Sequence, residues 1–127
     1  MCPAKMAKLE SAMRVALEFN EAFNRHDLAG IINLISDECI IESSSPPPDG
    51  EVFKGREEVA RYWLELFHHS PDARREIEEI FSTGFRCIMR WKSSHLDGSG
   101  IKHTVKGVDI FRVDGGLITE ILSYIKG

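Results

Sequence analysis

The chain has 127 residues and a mass of 14.4 kDa, enough for one domain with a hydrophobic core and too short for two of ordinary size. Apolar residues make up 43% and charged residues 28%, the balance of a soluble globular protein, and no apolar run approaches the roughly 20 residues of a transmembrane helix. Acidic residues outnumber basic ones by 20 to 16, which disfavours nucleic acid as a partner and leaves no charge signature for a membrane surface.

Residues 1–127 read as one domain, with 1–7 a flexible lead. Met1 to Glu10 holds Lys5 and Lys8 but no apolar stretch like that of a secretory signal, so a cytoplasmic location is expected. From Ala7 to Asn24 the residues Leu9, Met13, Ala16, Leu17, Phe19, Ala22 and Phe23 recur at three- and four-residue steps between charged positions, predicting an amphipathic helix. Asp27 is a good N-cap for a second, shorter helix carrying Leu28, Ile31, Ile32, Leu34 and Ile35. Cys39 to Ser43 is β-branched and apolar and reads as a strand. The proline-rich run from Ser43 to Gly50 reads as a loop, either over a pocket mouth or on plain surface.

Gly55-Arg56-Glu57-Glu58 opens a third helix with acids in its first turn and Val59, Tyr62, Trp63, Leu66 and Phe67 on one face. Beyond Pro71-Asp72 the pattern turns to alternation over Glu76 to Phe81, Phe85 to His95, Lys102 to Val113 and Leu117 to Lys126. Glycine-rich separators between these runs mark hairpins. The order predicts an α+β fold in which about three helices precede a meander of about four strands.

Alternation also assigns faces. One face of the strand ending at His95 carries Cys87, Met89, Trp91, Ser93 and His95. The matching face of the next strand carries His103, Val105, Gly107, Asp109, Phe111 and Val113. These sets are expected to look inward, which places Asp109 among apolar neighbours, where an ionised carboxylate must find a partner or keep its proton. Val108, Ile110, Leu122 and Tyr124 are left outside and suggest a homodimer through the sheet face. Cys2, Cys39 and Cys87 are odd in number and lack metal or disulfide spacing, so three free thiols are expected.

Phe19-Asn20-Glu21-Ala22-Phe23-Asn24-Arg25-His26-Asp27-Leu28, Gly55-Arg56-Glu57, Ser70-Pro71-Asp72 and Gly107-Val108-Asp109-Ile110-Phe111-Arg112-Val113 with Gly116-Leu117-Ile118-Thr119-Glu120 resemble the nuclear transport factor 2-like superfamily. Within it they resemble the SnoaL-like polyketide cyclase group. The resemblance implies a cone-shaped, curved mixed sheet wrapped around the helices with a pocket at its open end, and a homodimer. It implies a carboxylate at Asp109 acting as acid/base in an aldol-type ring closure, with a histidine at about His95 assisting. Isomerase and lyase (dehydratase) chemistry belong to the same acid-base class, and none of it asks for a metal or organic cofactor.

The catalytic candidates are therefore Asp109, His95 and His103, and the substrate-binding candidates are Trp91, Met89, Phe111, Phe19, Tyr62, Trp63 and Phe67 around a small hydrophobic carbonyl-bearing molecule. Steroid isomerase chemistry is not expected, because Phe19 and Ser43 stand where that enzyme's tyrosine and base would be. Epoxide hydrolase chemistry is not expected either, since of Arg90, Lys92 and Ser123 only the arginine matches. For Asp109 the alternative is a structural carboxylate bonded to a neighbouring strand or to His103. For the whole chain it is a non-catalytic ligand-binding or accessory domain.

Overall fold

A computed structural model describes residues 3–126, with side chains from Ala12 onward. Cys2 and the side chain of Leu9 lie outside the described residues. The helices are α1 (Pro3–Asn24), α2 (Leu28–Ile32) and α3 (Arg56–His69). The strands are β1 (Ile35–Ser43), β2 (Glu51–Lys54), β3 (Glu76–Thr83), β4 (Arg86–Leu96), β5 (Lys102–Asp114) and β6 (Leu117–Lys126). They form one curved six-stranded mixed sheet, in the order β2-β1-β6-β5-β4-β3, that does not close on itself.

The described part of α1 buries Ala12, Val15, Ala16, Phe19, Ala22 and Phe23, the i, i+3, i+4 stripe that its spacing predicts. Phe19 meets Trp63 of α3 and Phe111 of β5 with ring centroids 5.3 Å apart in each case. This aromatic cluster seats both helices on the concave face. Gly55 is the N-cap of α3, and the Glu58 carboxylate accepts the Lys54 N–H at 3.0 Å, satisfying a donor ahead of the first turn.

α2, β2 and α1 differ from the sequence reading. α2 ends at Ile32, and Leu34-Ile35 leave it so that Ile35 opens β1. The reason is that the Leu34 carbonyl accepts the Ile118 N–H at 2.8 Å, a sheet contact that the helical spacing of Ile31, Leu34 and Ile35 conceals. β1 pairs parallel with β6, which makes the sheet mixed, as the family resemblance implies, while β3 to β6 keep the expected meander. β2 is a four-residue edge strand where no strand was expected, with Glu51, Val52 and Lys54 exposed. α1 begins at Pro3, ahead of the expected Ala7.

The predicted faces of β4 and β5 are those observed: Cys87, Met89, Trp91, Gly107, Asp109, Phe111 and Val113 are buried. Among the described residues no helix is long and apolar enough to cross a membrane.

Candidate functional site

Asp109 lies mid-strand on β5 and is 1% exposed. Three side chains donate to its carboxylate. Arg75 Nη1 reaches Oδ2 at 2.7 Å, while Trp91 Nε1 and Ser123 Oγ reach Oδ1 at 3.0 and 2.8 Å. Arg75 and Trp91 can only donate, and the Ser123 hydroxyl can donate as well, so each partner suits a carboxylate acceptor. β4 supplies Trp91 and β6 supplies Ser123, so the strands flanking β5 both close on the same group.

Gly107 makes the indole bond possible. It pairs with Trp91 across the β4–β5 ladder, and a Cβ there would overlap the six-membered ring of the indole. Without a side chain, β5 lets Trp91 lie flat across it and aim its N–H at Asp109 two residues on.

Arg75 precedes β3 in the strap of residues 73–75 and is 9% exposed. Its guanidinium carbon lies over two rings, 4.5 Å from the Phe23 centre and 4.2 Å from that of Trp91, while Nη1 holds Asp109. Arg75 also lines a groove of about 480 Å³ together with Asn24, Asp72, Arg74, Glu76, Lys92 and Ser94, a volume in the range of small-molecule sites. Arg75 therefore belongs both to the shell of the buried carboxylate and to a surface open to solvent.

Tyr62 of α3 is half-buried and packs against Phe53, with ring centres 4.6 Å apart and planes tilted by 34°. Burial pushes its hydroxyl pKa up; the Arg75 charge opposes that shift, while Asp109 and Glu51 add to it. Asn20 is 7% exposed, and its Oδ1 has no hydrogen-bond partner in the protein.

The histidines do not join this site. His95 and His103 are cross-strand partners with rings stacked 5.5 Å apart, and both are exposed at the far end of the β4–β5 hairpin. His103 is six residues from Asp109, which on an extended strand is about 20 Å. Its Nε2 instead lies 2.7 Å from Asp97 Oδ2 in the hairpin turn. That bond and the Ile101 and Ser99 N–H groups hold the Asp97 pKa below its ordinary value. Alternation put both histidines on the inner face, but the strands outrun the helices that would cover them.

Of the substrate-binding candidates, Trp91 touches Asp109 directly and Tyr62 feels its charge. Met89, the cross-strand partner of Asp109, is buried, as are Phe111, Phe19, Trp63 and Phe67 in the core cluster. Ser43 is buried and its Oγ accepts the Ser45 N–H at 3.2 Å. Arg90 is exposed and pairs with Glu79 at 3.4 Å. Arg75 was missed from the sequence because it sits in a run without periodicity. The signal that could have found it is the buried carboxylate itself, which requires a nearby cation or donor. Among the described residues no group of three or more His, Cys, Asp or Glu side chains is placed to hold a metal ion.

Comparison with known proteins places this geometry in a family. Residues 16–121 match the SnoaL-like domain, and no curated protein matches the chain. A nuclear transport factor 2-like protein of unknown function from Mesorhizobium loti is 34% identical, covers 94% of each chain and superposes with a TM-score of 0.80. One from Burkholderia pseudomallei K96243 is 21% identical over 91% of each chain, with a TM-score of 0.78. A hypothetical protein with a ketosteroid isomerase-like fold from Catenulispora acidiphila DSM 44928, solved in complex with trimethylamine, is 14% identical over 87% of this chain and 83% of its own, with a TM-score of 0.76. With the match running from α1 into β6 and covering every residue that surrounds Asp109 except Ser123, the chain belongs to the SnoaL-like family of the nuclear transport factor 2-like superfamily.

Proposed function

We propose that this domain binds a small carbonyl-bearing molecule without a cofactor, and that Arg75, stiffened by Asp109, receives its carbonyl oxygen. The observation that carries the reading is the double position of Arg75, ion-paired to the buried carboxylate and lining an open groove. A guanidinium packed against two aromatic rings and ion-paired to a buried carboxylate is pre-organised, so an oxygen meeting its remaining N–H groups incurs little ordering cost. A solved neighbour of the same fold in complex with trimethylamine supports small-ligand binding.

The same arrangement fits polyketide cyclase, isomerase or dehydratase chemistry, because a donor facing a carbonyl stabilises the enolate that forms when an adjacent proton leaves. Against Asp109 as the proton carrier stands its full set of three donors, which favours a positioning role for it. His95 and His103 are not assigned to the reaction. The experiment is a thermal-shift and calorimetric screen of linear and cyclic 1,3-dicarbonyls against the wild type, Arg75→Lys and Asp109→Asn, with turnover followed in parallel. Binding weakened by Arg75→Lys supports the anchor, and binding that ignores the substitution overturns it. Turnover lost in Asp109→Asn at unchanged affinity would return the acid/base role to Asp109.

We also infer a homodimer through the outer sheet face. Phe81, Ile88, Ile110 and Leu122 are register partners across β3, β4, β5 and β6, forming one unbroken apolar row. Phe81 is 49% exposed and Tyr124 beside the row 53%. A partner copy would cover this row.

A further inference from the structure

We propose that Asn24 is the positioning residue of the site: it fixes the backbone of Arg75 and thereby aims the guanidinium at Asp109. The inference rests on the reading of Arg75 as the ligand anchor, and it concerns how that anchor is held.

Asn24 is the last residue of α1, and its side-chain amide engages both backbone groups of one residue. Asn24 Oδ1 accepts the Arg75 N–H at 2.7 Å, and Asn24 Nδ2 donates to the Arg75 carbonyl at 3.0 Å. The pairing is cyclic, like one rung of an antiparallel ladder, and leaves the Arg75 Cα little rotational freedom. Asn20, one turn earlier on the same helical face, donates to the same carbonyl at 3.3 Å.

The strap is held on either side of Arg75 as well. Arg74 Nη1 donates to the Asn24 carbonyl at 2.9 Å. His26 Nε2 lies 2.7 Å from the Ala73 carbonyl, and since a carbonyl can only accept, the ring donates. His26 stacks on Phe67 at 4.3 Å and takes a left-handed backbone, φ +53°, that turns it toward the strap. Residues 73–75 thus depend on the end of α1, and the Asn-x-x-x-Asn-x-His spacing at the helix corner acquires a role.

The mechanism makes a specific demand. Trp91 lies against the guanidinium, its ring centre 4.2 Å from the guanidinium carbon, and is bonded to the carboxylate that Arg75 pairs with, so its indole N–H reports the position of Arg75. Trp63, buried in the core away from Asp109's bonds, reports the fold. The test is the ¹⁵N–¹H spectrum of the two indole groups in the full chain, without ligand. Arg75→Lys, which keeps a cation but removes the planar stack, gives the reference displacement of the Trp91 signal.

Asn24→Ala is expected to displace the Trp91 indole signal in the direction set by Arg75→Lys while Trp63 stays in place. Added to Arg75→Lys, it should produce a smaller further displacement than it does in the wild type. A Trp91 signal unmoved in folded Asn24→Ala overturns the proposal, and so does an equal movement of both tryptophans, which would mean general loosening. If Asn24→Ala does not fold, Asn24→Asp is read by the same criteria, since it keeps the acceptor for the Arg75 N–H and loses the donor to its carbonyl. No ligand enters the measurement, so failure of carbonyl binding and failure of the positioning role are separate results.

Discussion

Trp91 occupies the space over Gly107 that a side chain would fill, and the indole of one strand thereby crosses its neighbour to reach Asp109. Gly107→Ala is expected to push the ring off β5 and break the 3.0 Å bond to Asp109. The loss should be about 2–6 kcal/mol, the cost of overpacking combined with an unmade buried hydrogen bond. Urea denaturation gives the loss, and the tryptophan emission maximum should move to longer wavelength; an unchanged spectrum and midpoint would contradict the geometry.

The Arg75–Asp109 pair is nine-tenths or more withdrawn from solvent on both sides. Arg75→Met leaves a buried carboxylate with only neutral donors, and a loss of about 3–5 kcal/mol is expected in chemical denaturation. Arg75→Met combined with Asp109→Leu removes both charges and should lie closer to the wild type than Arg75→Met alone. If the two single losses simply add, the residues are not coupled.

Cys39 is fully buried, and burial together with the Glu120 charge pushes its thiol pKa from 9.0 up to about 12. The folded chain keeps a proton that the unfolded chain releases, so the contribution to stability is complete below pH 9 and falls as pH rises from 9 toward 12. The slope is about 1.4 kcal/mol per pH unit. Comparing the wild type with Cys39→Ala by urea denaturation at pH 8, 9, 10 and 11 isolates this thiol from other groups that titrate there. Parallel curves for the two proteins would show that the thiol is not shielded. Below pH 9, Cys39 and the similarly raised Cys87 should also resist thiol reagents until the chain unfolds.

Ile110 stands at the centre of the outer apolar row, between Ile88 and Leu122. Light scattering is expected to give twice the 14.4 kDa chain mass for the wild type and one chain mass for Ile110→Lys. The substitution should leave the Trp91 environment as it is, because Ile110 faces away from the core. A wild type that remains monomeric at working concentration would remove the sheet-face dimer.

Much of this was readable in the residues because a strand has period two. Parity alone put Asp109, Trp91 and Phe111 on the inner face, and the structure has them there. Parity identifies a face but says nothing of how far along it the helices reach, so it could not separate His103 at the open hairpin end from Asp109 under α1. Arg75 was hidden for a different reason. Its burial comes from neighbours distant in sequence, Phe23, Trp91 and Asp109, and its own segment has no period to read. β2 is four residues with three exposed, too short and too polar to carry alternation. Ile35 continued a helical spacing until a strand some 80 residues later claimed its neighbour, a choice made by tertiary contact.

The place of β6 in the sheet bears on how the protein is made. It separates β1 and β2 on one side from β5, β4 and β3 on the other, and no other strand bridges them. A chain emerging from the ribosome therefore carries two incomplete half-sheets, each with an open edge, until the residues after Gly116 arrive. The β1 edge and the β5 edge stay exposed for that interval, when chaperone capture and mispairing compete with folding. Ser123 comes on the same strand, so the shell of Asp109 and the continuity of the sheet are completed together.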